Sequence, residues 1–281
     1  MTLVYMDTNV VDVFLRNNIQ SLLLFRSLKK AQRVQFLCSL DLLIELSNNP
    51  NVEAAKSLLK IINHLCSRYF FTLEPKTLFQ EDFVSFFERK PRNPFFSRTD
   101  ANNIFEHKFW DNMIAGKLGV IQSWFKERNK QRFLEEKQEY YEERKMLSDI
   151  QLNSPATFAD IWTAAKSVGF NNTYMTEMVR RQCQRTPLPE EIAAILDNLE
   201  KLPVVRCCLL HHLAYFLFFI IKKKQPTKRG NNMDARHIMA AANSDIFITD
   251  DRELLGLLKS ADNHWPFIPM TSEHFCQKFN D

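Results

Sequence analysis

Five acids stand where a folded chain needs a reason for them. Asp7 directly follows the apolar run "TLVYM" (2–6), and Glu45 lies among Leu42, Ile44 and Leu46 in "SLDLLIEL". Asp234, Asp250 and Asp251 all belong to "MDARHIMAAANSDIFITDDREL", which begins at Met233. Carboxylates crowded together repel, and some must stay protonated unless a cation joins them. Oxygen ligands with no Cys or His cluster suit a hard divalent ion, so Mg²⁺ or Mn²⁺ is the expected partner.

Each acid also has a plainer explanation. Helix starts favour acids, and strand ends often run into polar loops. Ser39 reads as an N-cap, which accounts for Asp41 in the first turn of the helix that follows. Glu45 is too deep in that helix for the same account. Asp234 follows the cap candidates Asn231 and Asn232, and the helix macrodipole explains it as well as a site does. Asp7 is where ligands gather in open parallel sheets, beyond the carboxyl end of a strand. Asn9 and Thr249 can position groups by hydrogen bonding. His237, one turn after Asp234, is expected to pack and hydrogen-bond beside the site rather than act as a base. Successive side chains alternate in extended chain, so Asp250 and Asp251 point opposite ways. Asp250 is expected at the rim, pairing with Arg252 or a nearby basic loop.

The elements that must carry these acids are short apolar runs separated by helical stretches. Strands are expected at 2–6, 34–38, 68–73, 245–249 and 267–270, and the alternation implies an α/β fold with a mostly parallel sheet. The first two runs show little polar alternation, as strands buried on both faces should. No strand is evident between about residues 100 and 201. A long helical pattern fills about Asn112 to Met146, with Ile114, Leu118, Ile121 and Phe125 in one stripe and a charged continuation. The expected organisation is a core of residues 1–99 and 202–281 with a large helical insertion at 100–201. "KPRNPFFSRTDANN" reads as the linker into it.

The 281 residues are 45% hydrophobic and 25% charged, enough to bury a substantial core. Six cysteines show no metal-finger spacing and read as free thiols of a reducing cytoplasm. No basic region precedes an apolar core near Met1, so no secretion signal is expected. "CCLLHHLAYFLFFII" (207–221) is too short to span a bilayer, which takes about 20 apolar residues, and reads as a buried helix. The net charge of +4 says little about partners, but Lys222, Lys223, Lys224, Lys228 and Arg229 crowd together just before Asp234. Such a run is either a solvated loop or a holder of substrate phosphates.

"MDTNV" near the N-terminus, the helical Glu45, "D..H...A...D.F.TDDR.L" in the late segment and "TSEHF" near the end together resemble the PIN domain nucleases. The resemblance covers about residues 1–50 and 230–275. It implies a PIN-like parallel sheet flanked by helices and a metal-dependent endonuclease acting on single-stranded RNA, in many members a toxin or defence effector. Its acidic cluster falls on Asp7, Glu45, Asp234 and Asp251, which makes Asp251 rather than Asp250 the ligand. The helical middle departs from compact members and is a candidate surface for self-association or an inhibitor protein. The alternative is a catalytically inactive PIN-like module that binds nucleic acid or protein. A phosphatase is disfavoured because "DTN" lacks the second Asp of a DxD motif. A phospho-receiver would not need acids so far apart in the chain.

Overall fold

The computed structural model describes residues 1–47, 49–95, 157–165, 168–215, 231–261 and 263–280. Five strands form its sheet: β1 (Thr2–Met6), β2 (Val34–Cys38), β3 (Cys66–Phe71), β4 (Ile246–Ile248) and β5 (Ile268–Met270). They run in the order β3-β2-β1-β4-β5, and every pairing is parallel. β1 is therefore central, with Val4 opposite Phe36 on one side and Ile246 on the other.

β1 and β2 are nearly all apolar because both of their faces are covered. Along β1 the side chains alternate between two separate cores: Tyr5 belongs to one, Val4 and Met6 to the other. The Val4 side also holds Phe36, Cys38, Ile246 and Ile248, and is covered by α1 (Ile19–Lys30), α2 (Leu40–Ser47) and α3 (Val52–Leu65). The Tyr5 side holds Leu37 and Phe247. It is covered by α4 (Pro75–Glu88), α5 (Phe158–Ala165), α6 (Val168–Cys183) and α7 (Pro189–Asp197), then by α8 (Pro203–Tyr215), α9 (Asn231–Ala241) and α10 (Arg252–Ser260). The last helix, α11 (Ser272–Asn280), returns to the Val4 side through Phe275.

The described helices between residues 158 and 201 share the Tyr5-side core, through Phe158, Met175, Val179, Ile192 and Ile195. The helical pattern at Asn112–Met146, most of its proposed linker and the basic run at 222–229 lie outside the described residues. Of "CCLLHHLAYFLFFII", residues 207–215 form the buried second half of α8, and the remainder is not described. Among the described residues, no helix is long and apolar enough to cross a membrane.

Asp82 on α4 joins the helices of this layer. Its carboxylate accepts hydrogen bonds from the Val204 and Val205 N–H groups at 2.7 and 3.1 Å, at the N-terminus of α8. It also pairs with Arg92, whose guanidinium donates on to the Asn243 side-chain oxygen Oδ1 beyond α9.

Candidate metal centre

Parallel strands bring their carboxyl ends to one edge of the sheet, and the polar residues of the sequence motifs emerge there. Asp7 continues from β1: its N–H donates to the Ile248 carbonyl at 2.9 Å. Its side chain is 7% exposed as a residue and held at both oxygens. The Thr249 hydroxyl donates to Oδ2 at 2.8 Å, and the Thr8 N–H donates to Oδ1 at 2.6 Å. The chain then turns into a π-helical stretch, Val10–Leu15. Such wide turns recur beside functional sites.

Glu45 comes from α2, which starts right after β2. Ser39 caps this helix, its Oγ accepting from the Leu42 N–H at 3.1 Å. The Thr8 hydroxyl donates to Glu45 Oε2, and His237 Nε2 lies 2.9 Å from the same oxygen. Nε2 is also 3.9 Å from Asp7 Oδ1. One ligand atom from each of Asp7, Glu45 and His237 thus falls within 4.8 Å of the others, a buried group that could hold a metal ion. The other imidazole nitrogen, Nδ1, is 2.7 Å from the Tyr5 hydroxyl, which is itself 2.7 Å from Ser39 Oγ.

The charges in this group are out of balance. Burial raises the Asp7 carboxyl above its ordinary range, and His237 and Thr249 only partly offset it. Burial also lifts Asp234, helped by the negative charges of Asp7, Asp251 and Glu45, to about 8. Glu45 resists burial: the His237 hydrogen bond and charge leave its carboxyl below the usual value. For His237 burial opposes the charged form, yet Glu45 and Asp7 carry its pKa up to about 9. One imidazolium therefore faces several carboxylates, and a proton remains on Asp234 at neutral pH.

The four carboxylates expected at the site take different places. Asp7 and Glu45 lie in the close group. Asp234, in the first turn of α9, adjoins it electrostatically, and no hydrogen bond or ion pair reaches its carboxylate among the described residues. Asp251 is exposed and caps α10, its Oδ1 accepting from Glu253 N–H at 2.7 Å and Leu254 N–H at 2.9 Å. Its charge still acts on Asp234. Asp250 turns the opposite way, as alternation requires. Its carboxylate accepts from the Ser272 N–H at 2.9 Å and from the Ser272 hydroxyl, so it holds the start of α11 rather than pairing with Arg252. Asn9 accepts the Asp250 N–H at 3.1 Å, fixing the strand end rather than touching the acids.

Three contributors escape a linear reading. Tyr5 and Thr8 flank Asp7, and Asp41 is fully buried on α2, bonded to Arg236 at 2.7 Å. Tyr5 had one usable signal: two residues before Asp7 in a strand, it shares that side chain's face. Arg236, between Asp234 and His237, had none, since its partner is 195 positions away. No protein-family model, curated protein or solved structure matches this chain.

Proposed function

We propose that this chain is a metal-dependent endonuclease of the PIN type, hydrolysing phosphodiester bonds in single-stranded nucleic acid. The observation that carries the reading is the convergence of Asp7, Glu45 and His237, with Asp234 beside them, at the carboxyl edge of a parallel sheet. Excess buried negative charge in one place is what a divalent cation stabilises, and the donor set fits Mg²⁺ or Mn²⁺. Asp7 and Glu45 would hold the ion, with Asp234 and Asp251 completing the site from its outer side. When bound, such an ion neutralises a phosphodiester and lowers the pKa of an attacking water.

The chain's own groups arrange the rest. Thr249 and Thr8 fix both Asp7 oxygens, and Thr8 ties Glu45 to the same turn. This locks the carboxylates before any substrate arrives, which lowers the entropic cost of assembling the site. The crowding that lifts the Asp234 carboxyl would be relieved as an ion joins the group, so Asp234 would give up its proton on binding and complete the site. Lys222, Lys223, Lys224, Lys228 and Arg229 would hold flanking phosphates. The preference for RNA over DNA, a cytoplasmic toxin or defence role, and an inhibitor or second copy bound through the helical middle follow from the resemblance alone.

The test is incubation of the purified chain with end-labelled single-stranded RNA and DNA in Mg²⁺, Mn²⁺ or EDTA. Internal cleavage of RNA in either metal, stopped by EDTA, is the expected result. Cleavage that persists in EDTA overturns the metal-dependent reading. Binding without cleavage in both metals would assign the inactive-module alternative.

A further inference from the structure

An all-oxygen acid cluster would make Mg²⁺ a natural occupant. The geometry points to something else: His237 Nε2 is itself a ligand, and Tyr5 is the positioning residue that turns it toward the carboxylates. The centre then prefers a first-row transition ion such as Mn²⁺ to Mg²⁺. This inference rests on the reading that these acids hold a cation.

The argument starts from what each imidazole nitrogen faces. His237 is 1% exposed, so its ring is closed off from bulk solvent and its orientation follows from its neighbours. Nδ1 is occupied by the Tyr5 hydroxyl at 2.7 Å. Nε2 is the nitrogen directed at Glu45 Oε2, at 2.9 Å, and at Asp7 Oδ1, at 3.9 Å. A ligating histidine almost always gives its second N–H to a fixed partner, which sets the tautomer and the ring plane. Tyr5 supplies that partner from the centre of the sheet, and Tyr5 is in turn anchored to the cap residue Ser39.

The direction of these bonds leaves Nε2 as the nitrogen whose proton an ion can displace. The Leu42 N–H already donates to Ser39 Oγ, which can still accept the Tyr5 O–H. The Tyr5 oxygen then accepts Nδ1–H, and the second proton of the imidazolium sits on Nε2, which donates it to Glu45 Oε2. An ion in the group takes the place of that proton, and nothing else in the chain of bonds has to reverse. Nitrogen donors favour transition ions over Mg²⁺, which demands hard oxygen ligands and gives up its water reluctantly. Two carboxylates and one imidazole are therefore a mixed set that discriminates between the two ions.

The measurement uses the full chain and metal ion alone. Mn²⁺ binding is followed by loss of the free-ion electron paramagnetic resonance signal, with Mg²⁺ as competitor. The bound ion is then read by electron spin echo modulation, in protein made with ordinary or ¹⁵N-labelled histidine. The expected result is a nitrogen modulation that changes with the histidine label, and Mn²⁺ held roughly tenfold or more tightly than Mg²⁺. His237→Asn should abolish the modulation and level the two affinities. Tyr5→Phe should keep the modulation and weaken Mn²⁺ by roughly 10-fold or more. The wild-type spectrum decides even if His237→Asn fails to fold. Mn²⁺ that binds without histidine modulation overturns this inference and leaves the metal-dependent reading standing. No binding of either ion overturns both.

Discussion

Two regions of this molecule bury carboxylates, and they do so in opposite ways. Asp82 is answered by Arg92 and by two backbone N–H groups at the start of α8. Burial still lifts its carboxyl, but each oxygen has donors and the charge has a partner. At the sheet edge, Asp7, Glu45 and Asp234 share one imidazole, and Asp234 has no donor among the described residues. The first arrangement is closed and joins helices. The second leaves a charge deficit that a ligand would fill. Burial alone therefore does not mark a candidate ion site; the balance of donors against acceptors does.

The sharpest way to break the comparison is to remove the answered acid. Asp82→Ala leaves the Arg92 guanidinium facing a hole and two helix N–H groups without an acceptor. A loss of about 3–5 kcal/mol in stability is expected, read by urea denaturation, with the ion affinity of the folded fraction unchanged. A loss under 1 kcal/mol would place Asp82 among the ordinary surface acids.

At the unanswered site the same class of change acts on function. Asp7→Asn keeps the shape and removes one of the repelling charges. Cleavage should fall by more than about 100-fold, since residues that merely support a ligand already account for 10–100-fold. The melting temperature in EDTA should hold or rise, because crowded charge is relieved. A variant that is active, or one that is markedly destabilised without metal, would make Asp7 a structural acid like Asp82.

The neighbours Asp250 and Asp251 sharpen the contrast within one strand end. Asn caps helices as well as Asp does, so Asp251→Asn leaves α10 capped and takes away only the charge beside Asp234. Ion affinity and cleavage should drop by roughly 10-fold or more. Asp250→Asn should touch neither by much, because Asp250 holds Ser272. Single-turnover rates at matched Mn²⁺ that rank the two variants in reverse would put the ligand on the wrong carboxylate.

The smallest effect belongs to an answered acid at the surface. Glu177 accepts from Arg180 and Arg181, and their hydrogen bonds bring its pKa down to about 2. A depressed carboxyl contributes stability above its unfolded pKa and loses it as pH falls toward the folded one. The melting-temperature gap between wild type and Glu177→Gln should be largest above about pH 5 and close toward pH 2. It should be modest throughout, since Arg180 is exposed and solvent screens the pair. A gap that widens on acidification would reverse the sign of this interaction.

How much of this was legible depends on whether the signal was local. β1 and β2 could be read to the residue, because an apolar run between polar residues is its own marker. β3 begins at Cys66 rather than 68, since α3 passes into it with no Gly or Pro to announce the change. Asp7 and Glu45 stood out from their own contexts, whereas Asp234 had an equal explanation in the helix macrodipole, His237 read as a packed neighbour, and only the resemblance favoured Asp251 over Asp250. Whether they form one centre was not readable, and the structure sets Asp251 apart as a cap. Asp41 looked like an ordinary first-turn acid; its burial against Arg236 depends on α9 docking against α2, which no local pattern encodes. Tyr5 and Thr8 owe their place to hydroxyl directions, which appear only once β1 and α9 meet.

The position of β1 in the sheet bears on the order in which the centre is assembled. β2 joins β1 from nearby in the chain and brings α2, so Asp7 and Glu45 can meet through short closures. Thr249, which fixes Asp7, lies 242 residues away from it, and His237 arrives with the same distant segment. Closing so long a span costs more entropy than the short closures, though only logarithmically more, and remote parallel pairing is slow to form. Ion binding is then among the last properties a refolding chain regains. Its recovery, timed against that of helix signal, reports when β4 has reached β1.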